Sequence, residues 1–332
     1  GSERIMNNDT EKDSPQPLKI VVALAHETEP YNALADALAA SDVPRERYDL
    51  VRSMGPRHLE EIISDADVLV GWHLEPELLR LAKRLRWVQF ASAGVDDLLH
   101  PALVQSPVIV TSAAGTHGAP VAEHVFALLL AFTRGLIPAW LNQRERRWDR
   151  ARVRLAIREL AGMTLLVVGL GQIGKEVARL AKAFGMKVLA ITKDGTSDHA
   201  DEVLGPEGLP KYLPRADVVV VTVPLTQETR GMIGVDEIRL MKDTSYLINV
   251  GRGPVVREDI LAEALRRGWI AGAGLDVFDA EPLPPNHPFY NLDNCIVTPH
   301  VAGVTPHYWP RMARVFVENF KAFLAGTPMP TQ

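Results

Sequence analysis

The feature that most constrains this chain is a glycine-rich turn between an apolar run and an amphipathic helix pattern. Residues 163–194 read MTLLVVGLGQIGKEVARLAKAFGMKVLAITKD. Gly169 allows a tight turn, Gly171 lets the backbone approach a pyrophosphate, and Gly174 lets helix and strand pack closely. A glycine triplet alone is a weak signal, but a strand before it and a helix after it are typical of a dinucleotide-binding turn.

The start of that helix predicts where the phosphates bind. The amides of Gln172 and Ile173 lie at the positive end of the helix, where a pyrophosphate accepts hydrogen bonds from free N–H groups. The alternative interpretation is a glycine-rich turn in a Rossmann-like domain that holds no nucleotide.

Short β-rich runs alternate with helical patterns along most of the chain, which predicts parallel strands joined by helical crossovers. We expect an α/β protein with one α/β domain over residues 18–115 plus 303–332 and a second over residues 116–302. Residues 1–17 are polar and predict a disordered leader. The strand candidates are KIVVALA, YDLVRS, ADVLVGW, RWVQFASAG and VIVTSAAG in the first domain, and LLVVG, KVLAI, DVVVVTVP, SYLINVG, AGAGLDVF and NCIVTPH in the second.

Composition excludes several classes of partner. With 47% hydrophobic and 23% charged residues and a formal net charge of −5, the chain has no general attraction to nucleic acid or anionic membranes. No apolar stretch approaches the roughly 20 residues that a membrane-spanning helix needs. We therefore expect a cytoplasmic protein and assign no metal site. The single cysteine, Cys295, lies in an apolar run and is interpreted as a small core residue rather than a nucleophile.

The first part of the second predicted domain indicates a dimerisation helix and arm over residues 120–158. Residues 120–136 are apolar on most of the helix circumference, so we expect burial between the domains or against a second subunit. Residues 144–158 are rich in arginine. A nucleic-acid site is the alternative, but the acidic balance of the chain favours a solvated arm or a homodimer contact.

Polar and small residues follow five of the predicted strands. In an open parallel sheet, ligands bind outside the carboxyl ends of the strands, so this pattern predicts one site that collects these residues. They are Gly171, Pro224 with Thr226, Asn249 with Arg252, Asp276, and His300.

Two of these side chains suit the recognition and reduction of an oxo acid. Arg252 lies between Gly251 and Gly253, and its rigid guanidinium can bind a carboxylate through two hydrogen bonds. His300 can exchange a proton near neutral pH, and Glu281 could orient its ring. A surface ion pair for Arg252 and a structural role for His300 are the alternatives.

Seven segments together make the chain similar to the D-isomer-specific 2-hydroxyacid dehydrogenases, of the glyoxylate/hydroxypyruvate reductase type. They occur in the order of that family and span nearly the whole chain after the leader. The segments are SAGVDDL, PVAEHV, VVGLGQIG, VPLTQET, LINVGRGPVV, GLDVFDAEPLP and TPHVAG.

The resemblance implies a doubly wound NAD(P)-binding Rossmann-like domain and a smaller flavodoxin-like substrate domain, with a 2-oxo acid reduced to a D-2-hydroxy acid in the cleft between them. Arg252 would bind the carboxylate and polarise the ketone, His300 would donate a proton, and Glu281 would hold His300. Ser92, Ala93 and Gly94 would complete the substrate site. The further cofactor residues implied are Thr222, Pro224 and Thr229 on the adenosine side, Asp276 on the nicotinamide side, and Val250, Gly251 and Gly303.

One departure from the family pattern concerns the choice between NAD and NADP. NAD-preferring members end the second strand of the nucleotide fold with an acid that binds the ribose hydroxyl. Thr192 occupies that position here, and Lys193 follows it, which favours the extra phosphate of NADP. A shift of register would instead bring Asp194 into this place.

The substrate side chain and the rival functions stay open at this stage. Trp72, His73, Tyr308 and Trp309 could shape a side-chain pocket or could serve only in packing. A nucleotide-sensing corepressor-like binding protein shares the fold, and so do formate and phosphite dehydrogenases.

Overall fold

The computed structural model describes residues 16–24, 28–95 and 98–332. The chain divides into two units, one formed by the described residues up to Thr116 with Pro306–Gln332, and the other by His117–Thr305. The predicted boundaries differ by one residue at the first junction (115 against 116) and by three at the second (302 against 305). The predicted leader falls mainly on residues 1–15, and SAGVDDL includes Asp96 and Asp97; these positions lie outside the described residues.

The first unit contains a parallel sheet of five strands in the order β2-β1-β3-β4-β5. This is the flavodoxin-like order, so the predicted fold of this part is confirmed. Its strands are β1 (Leu18–Ala23), β2 (Tyr48–Arg52), β3 (Val68–Gly71), β4 (Trp87–Phe90) and β5 (Ile109–Thr111). Its helices are α1 (Glu29–Ala39), α2 (Pro56–Ile62), α3 (Pro76–Leu81), α4 (Pro101–Val104) and the C-terminal α12 (Tyr308–Ala325).

Helix α12 belongs to the first unit because both apolar packing and a buried polar network hold it there. Phe316 stacks on Trp87 of β4 with ring centroids 5.1 Å apart. Asn319, which is fully buried, donates to Gln89 Oε1 at 2.8 Å, and Thr111 donates to the same oxygen at 2.8 Å. Burying a polar group costs free energy unless the group is hydrogen-bonded. This network therefore favours a single position of the helix against the sheet.

The second unit contains a parallel sheet of seven strands in the order β12-β11-β10-β9-β6-β7-β8. The order reverses at β6, which the glycine turn follows; this is the doubly wound arrangement that the sequence predicts. The strands are β6 (Thr164–Val168), β7 (Lys187–Ile191), β8 (Glu202–Leu204), β9 (Val218–Val221), β10 (Tyr246–Asn249), β11 (Gly272–Leu275) and β12 (Cys295–Val297). The helices are α5 (Gly118–Thr133), α6 (Leu136–Arg144), α7 (Arg150–Ala156), α8 (Gln172–Ala183), α9 (Leu209–Tyr212), α10 (Val235–Leu240) and α11 (Glu258–Arg267).

Both faces of this sheet are covered, which explains why central strands such as β6 and β9 consist almost wholly of apolar residues. Along β6, Leu166 and Val168 pack in one core cluster, whereas Leu165 and Val167 pack in the other. Side chains of a strand alternate between its two faces, so each face receives every second residue.

Helix α5 is buried by the sheet of its own unit. Val121, Val125, Leu129 and Phe132 lie in the core cluster that also contains Val167 of β6. The burial that the apolar circumference predicts is therefore present. The sheet of the same unit provides it, and the predicted contact with the other domain or with a second subunit stays a prediction.

The arm that follows α5 is a pair of helices with exposed apolar side chains. The buried Asn142 of α6 donates to the carbonyl of Asp149 at 2.9 Å and accepts from Arg152 at 3.2 Å, which ties α6 to α7. Large apolar side chains are nevertheless exposed on this arm: Leu136, Trp140, Trp148, Leu155 and Ile157.

Among the described residues, no single helix has the length and apolar composition to cross a membrane; α5 and α6 pass that test only as a pair, bent by 67°. The cytoplasmic location expected from the sequence stays a prediction.

The sequence does not predict strand β8, which has three residues and begins with a charged one. Its Glu202 accepts two hydrogen bonds from Arg215, at 2.7 and 2.9 Å, and pairs with Lys187 at 2.7 Å. The Arg215 guanidinium, and after it the Lys187 ammonium, lowers the pKa of Glu202 from its usual 4.5 to about 2.

We predict that Glu202→Gln lowers the denaturation midpoint at neutral pH and reduces its acid dependence. Because the folded-state pKa of Glu202 is lowered, its ionised form stabilises the fold above about pH 4.5, and this contribution is lost as the pH falls towards 2. Urea midpoints of both proteins from pH 7 to pH 2 test this, with exposed Glu60→Gln as the control. A constant difference between wild type and variant over that range would contradict it.

Candidate functional site

The glycine turn after β6 has the close packing that its spacing predicts. Gly169 has φ +103°, a conformation that side chains disfavour, and a Cβ there would lie 2.8 Å from Val223 Cγ1. A Cβ on Gly174 would lie 1.9 Å from the carbonyl oxygen of Gly169. Helix α8 therefore begins directly against the end of β6.

Gly171 differs from these two because a Cβ built on it meets no atom of the described residues within 4 Å. It precedes the first residue of α8, Gln172, and no side chain caps the helix there. The first amides of a helix have no acceptor within it, so those of Gln172, Ile173 and Gly174 can bind an anion in this space. The open cradle and the helix start fit the diphosphate of a dinucleotide.

The strand register fixes the residue that stands beside this turn. Strand β7 pairs with β6 up to Ile191 and Val168, and the amide of Gly169 donates to the carbonyl of Ile191 at 2.9 Å. Thr192 is thus the first residue beyond β7 and is level with Gly169.

The first two residues after Thr192 are a cation, Lys193, and a carboxylate, Asp194, with different surroundings. Asp194 Oδ1 accepts from Thr196 N at 3.3 Å and from Thr192 Oγ1 at 3.1 Å, and these bonds, the Thr196 amide first, lower the pKa of Asp194. Lys193 is exposed, and its charge is one of the causes that lower the pKa of Glu228, after the Thr226 hydroxyl.

The turn after β9 is held by its own threonines. Thr222 donates to the carbonyl of Gly169 at 2.7 Å, which connects this turn to the glycine turn. Thr229 donates to the carbonyl of Pro224 at 2.7 Å and accepts from the amide of Thr226 at 2.8 Å.

The segment after β10 presents Arg252 on a backbone that admits no side chain on either neighbour. A Cβ on Gly251 would lie 2.8 Å from the Val223 carbonyl oxygen, and one on Gly253 would lie 2.0 Å from the carbonyl carbon of Phe278. Val250, before them, is buried. Arg252 itself is exposed, and its Nη1 donates to the Gly251 carbonyl at 2.8 Å. The other N–H groups of the guanidinium can meet a ligand.

Asn249 shapes this segment through both ends of its side-chain amide. Its Oδ1 accepts from the amide of Gly251 at 3.1 Å, and its Nδ2 donates to the carbonyl of Arg252 at 3.1 Å. Because Gly253 packs on the backbone of Phe278, the segments that carry Arg252 and Glu281 lie side by side.

His300 and Glu281 form a direct pair, as the sequence analysis anticipated. The distance between His300 Nδ1 and Glu281 Oε2 is 2.6 Å, and Glu281 Oε1 accepts from the amide of Phe278 at 3.0 Å. The side chain of His300 is 50% exposed. The carboxylate thus orients the ring through Nδ1 and leaves Nε2 on the opposite side for a ligand.

The backbone around His300 is strained, and Asp276 holds it on both sides. His300 has φ +53°, a region that residues other than glycine rarely adopt. Asp276 is 1% exposed, and its carboxylate accepts from Thr298 Oγ1 at 2.6 Å and from the amides of Val301 and Ala302 at 2.9 Å each. The role predicted for Asp276 beside the nicotinamide stays a prediction.

Gly303 ends this loop in close contact with the start of α5, since a Cβ there would lie 2.7 Å from His117 Cδ2.

Cys295, the first residue of β12, is partly buried, and burial raises the pKa of its thiol to about 12. A thiol of that pKa is not a nucleophile near neutral pH, in agreement with its interpretation as a packing residue.

The substrate residues predicted in the first unit follow its strands. Ser92, Ala93 and Gly94 lie in the loop that begins one residue after β4, and their predicted role stays a prediction. The aromatic candidates pack together: Trp72 and Trp309 have ring centroids 5.8 Å apart, and Tyr308 and Trp309 5.0 Å. Trp72 Nε1 also donates to the carbonyl of Leu24 at 2.7 Å. His73 is exposed beside this group.

Two residues without a role predicted from the sequence, His124 and Thr298, are joined to the site in the structure. His124 Nε2 lies 2.9 Å from Thr298 Oγ1, so α5 contacts the loop that carries His300. Both residues fall in segments that carry the family resemblance, PVAEHV and TPHVAG, but 174 residues separate them, and neither segment alone indicates the contact.

A family model and individual known proteins that are similar to this chain indicate the same family. The model of the D-isomer specific 2-hydroxyacid dehydrogenase NAD-binding domain matches residues 126–302. A glyoxylate reductase of Korarchaeum cryptofilum is 39% identical over 277 residues, which cover 81% of this chain and 83% of the relative.

Solved structures agree over nearly the whole chain. A D-isomer specific 2-hydroxyacid dehydrogenase family protein from Aeromonas salmonicida is 31% identical with a TM-score of 0.82 and covers 95% of this chain and 98% of its own. A D-isomer specific 2-hydroxyacid dehydrogenase from Xanthobacter autotrophicus, in complex with NADPH and MES, is 29% identical with a TM-score of 0.80 and the same two coverages.

We predict that Gly171→Ala weakens dinucleotide binding about tenfold or more without destabilising the fold. The added methyl group meets no protein atom within 4 Å and the φ of −69° suits alanine, but the methyl group occupies the space in front of the helix amides. Fluorescence titration with NADPH and a thermal melt measure the two effects. Gly234→Ala, at a position with ordinary contacts in the same unit, is the control. Wild-type affinity in Gly171→Ala would refute the assignment.

Proposed function

The chain belongs to the D-isomer-specific 2-hydroxyacid dehydrogenases, which are NAD(P)-dependent enzymes, and we propose that it reduces glyoxylate and related small 2-oxo acids to D-2-hydroxy acids with NADPH as the preferred donor. In this proposal the unit formed by His117–Thr305 binds the dinucleotide, and the other unit is the substrate domain.

The observation that carries the proposal is the pairing of His300 with Glu281 at 2.6 Å. With Nδ1–H donated to the carboxylate, Nε2 of a protonated ring donates its proton to the ketone oxygen as the hydroxy acid forms. In the reverse direction, Nε2 accepts the hydroxyl proton. Glu281 keeps its orientation because the amide of Phe278 binds its second oxygen.

Arg252 is proposed to bind the substrate carboxylate and to polarise the ketone. Its guanidinium retains N–H groups beyond the one donated to the Gly251 carbonyl, and a planar fork matches the two oxygens of a carboxylate. The packing of Gly253 against Phe278 supports this role, since it keeps the arginine near the segment of Glu281.

The cofactor is proposed to lie along the carboxyl edge of the second sheet. The amides of Gln172, Ile173 and Gly174 would bind its diphosphate. Thr222, Pro224 and Thr229 would line the adenosine side and Asp276 the nicotinamide side, and Val250, Gly251 and Gly303 would also contact the cofactor. When bound, the cofactor supplies the hydride that reduces the ketone carbon.

The preference for NADP is proposed from the residues beside Gly169. Thr192 is level with the first glycine, and the exposed Lys193 follows it, so a hydroxyl and an ammonium would meet the ribose phosphate. Asp194 Oδ1 already accepts two hydrogen bonds within its own loop, which argues against the register in which this acid binds a ribose hydroxyl.

We also propose that the chain forms a homodimer through the arm formed by α6 and α7. Trp148 is 98% exposed and Leu155 80%, and side chains of this size are rarely so exposed unless a partner covers them. Symmetric dimers are the commonest assemblies of soluble proteins.

We predict that the protein oxidises NADPH in the presence of glyoxylate or hydroxypyruvate, with D-glycerate as the product of the latter. His300→Gln should lower kcat by roughly 10²–10⁴-fold because the proton donor is lost. Arg252→Ala should lower kcat/KM about a hundredfold while NADPH still binds, because charged hydrogen bonds to the carboxylate are lost. Cofactor absorbance measures the rates, and exposed Arg266→Ala is the matched control. Near-normal rates in either site variant would remove that residue from the mechanism.

We predict that Lys193→Ala raises the Kd of NADPH about tenfold and changes that of NADH little, because only NADPH carries the phosphate that the ammonium would bind. Titrations with both cofactors measure the ratio, and Lys211→Ala removes a comparable exposed charge from the same unit. An unchanged ratio would contradict the assignment.

We predict that the wild-type protein sediments as a dimer at micromolar concentration and that Trp148→Ala with Leu155→Ser sediments as a monomer, since the exposed apolar area of the arm is reduced. Val104→Ser, which changes an exposed residue of α4, should leave the dimer intact. A monomeric wild type, or a dimeric double variant, would overturn the proposed interface.

A further inference from the structure

Helix α5 makes a polar contact with the loop that carries His300. His124 Nε2 lies 2.9 Å from Thr298 Oγ1 and 3.7 Å from Asp276 Oδ1. The side chain of His124 is 20% exposed, and Val121 and Val125 of the same helix are in the core. The His124 imidazole therefore faces the loop from a helix that packs firmly against the sheet of its own unit.

The direction of each hydrogen bond follows from counting protons. Thr298 has one hydroxyl hydrogen, and its 2.6 Å distance to the buried Asp276 carboxylate is that of a charge-assisted bond in which the hydroxyl donates. Thr298 Oγ1 is then an acceptor towards His124. Nε2 of His124 must carry a hydrogen and donate it, which selects one tautomer of the neutral ring.

The hydrogen bonds continue from the carboxylate to the backbone on the far side of His300. Asp276 accepts from the amides of Val301 and Ala302, both at 2.9 Å. His300 lies between Thr298 and Val301 with φ +53°. A strained residue keeps its conformation only when its surroundings fix it, and here the bonds to Asp276 do so on both sides.

We propose that His124 is a positioning residue for the reaction. Its Nε2–H fixes the hydroxyl of Thr298, the hydroxyl fixes the Asp276 carboxylate, and the carboxylate holds the loop in which His300 meets Glu281. His124 acts only through this chain of hydrogen bonds and not on substrate or cofactor. The inference rests on the proposed function, since it concerns the geometry of the proposed proton donor.

The test compares two substitutions of His124 with different hydrogen-bonding capacity. His124→Leu removes the donor at similar size, whereas His124→Gln keeps an N–H near the place of Nε2. We expect kcat for glyoxylate with NADPH to fall about tenfold in His124→Leu, with the KM for NADPH unchanged, and to stay within about threefold of wild type in His124→Gln. Glu123→Gln, which changes an exposed residue next to His124, should leave kcat unchanged.

A second readout does not depend on turnover. Hydrogen exchange measured by mass spectrometry should show faster exchange of the amides of Val301 and Ala302 in His124→Leu, at wild-type rates elsewhere, with protection restored in His124→Gln. If the wild type reduces no 2-oxo acid, the proposed function fails, and the exchange data still decide whether His124 holds the loop.

Thr298→Val keeps the proposal testable if His124→Leu does not fold. This variant removes the hydroxyl at constant shape and should reproduce the loss of kcat and of protection, and the double variant with His124→Leu should lose no more than either alone. Wild-type exchange and kcat in Thr298→Val or His124→Leu would overturn the proposal. Equal losses in His124→Leu and His124→Gln would overturn it as well, because packing and not donation would then be the cause.

Discussion

The contact between Gly174 and the carbonyl oxygen of Gly169 is the constraint on which the second unit depends. A Cβ at Gly174 would lie 1.9 Å from that oxygen, so only glycine lets α8 begin directly against the end of β6. This packing brings the unpaired amides of the helix to the carboxyl edge of the sheet, where β9, β10, β11 and β12 also end. A bulkier residue would move the helix start away from the edge at which the other functional residues lie.

The second constraint is the buried carboxylate of Asp276. A buried charge is costly unless donors surround it, and here a hydroxyl and two amides do so. These three donors come from the loop on both sides of His300. The interactions that make the buried charge acceptable therefore also hold a strained histidine in the position where Glu281 meets its ring.

Much of the fold is predictable from the sequence because strands covered on both faces are apolar without interruption, and such runs stand out in a chain of average composition. Strand β8 cannot be predicted in this way, because its three partly exposed residues do not form an apolar run. The surface against which α5 packs cannot be predicted for another reason. An apolar circumference indicates that the helix is buried, but any apolar surface can bury it, and here the sheet of the same unit does so.

The sequence by itself determined most of the strands, the glycine spacing after β6, and the identities of Arg252, Glu281 and His300 as candidates, because these depend on local patterns and on side-chain chemistry. Only the tertiary structure decided that His300 meets Glu281 at 2.6 Å and that His124 reaches Thr298. The physical reason is that a hydrogen bond depends on distance and direction to within a few tenths of an ångström. For residues far apart in the chain, those quantities depend on where strands and helices end in space.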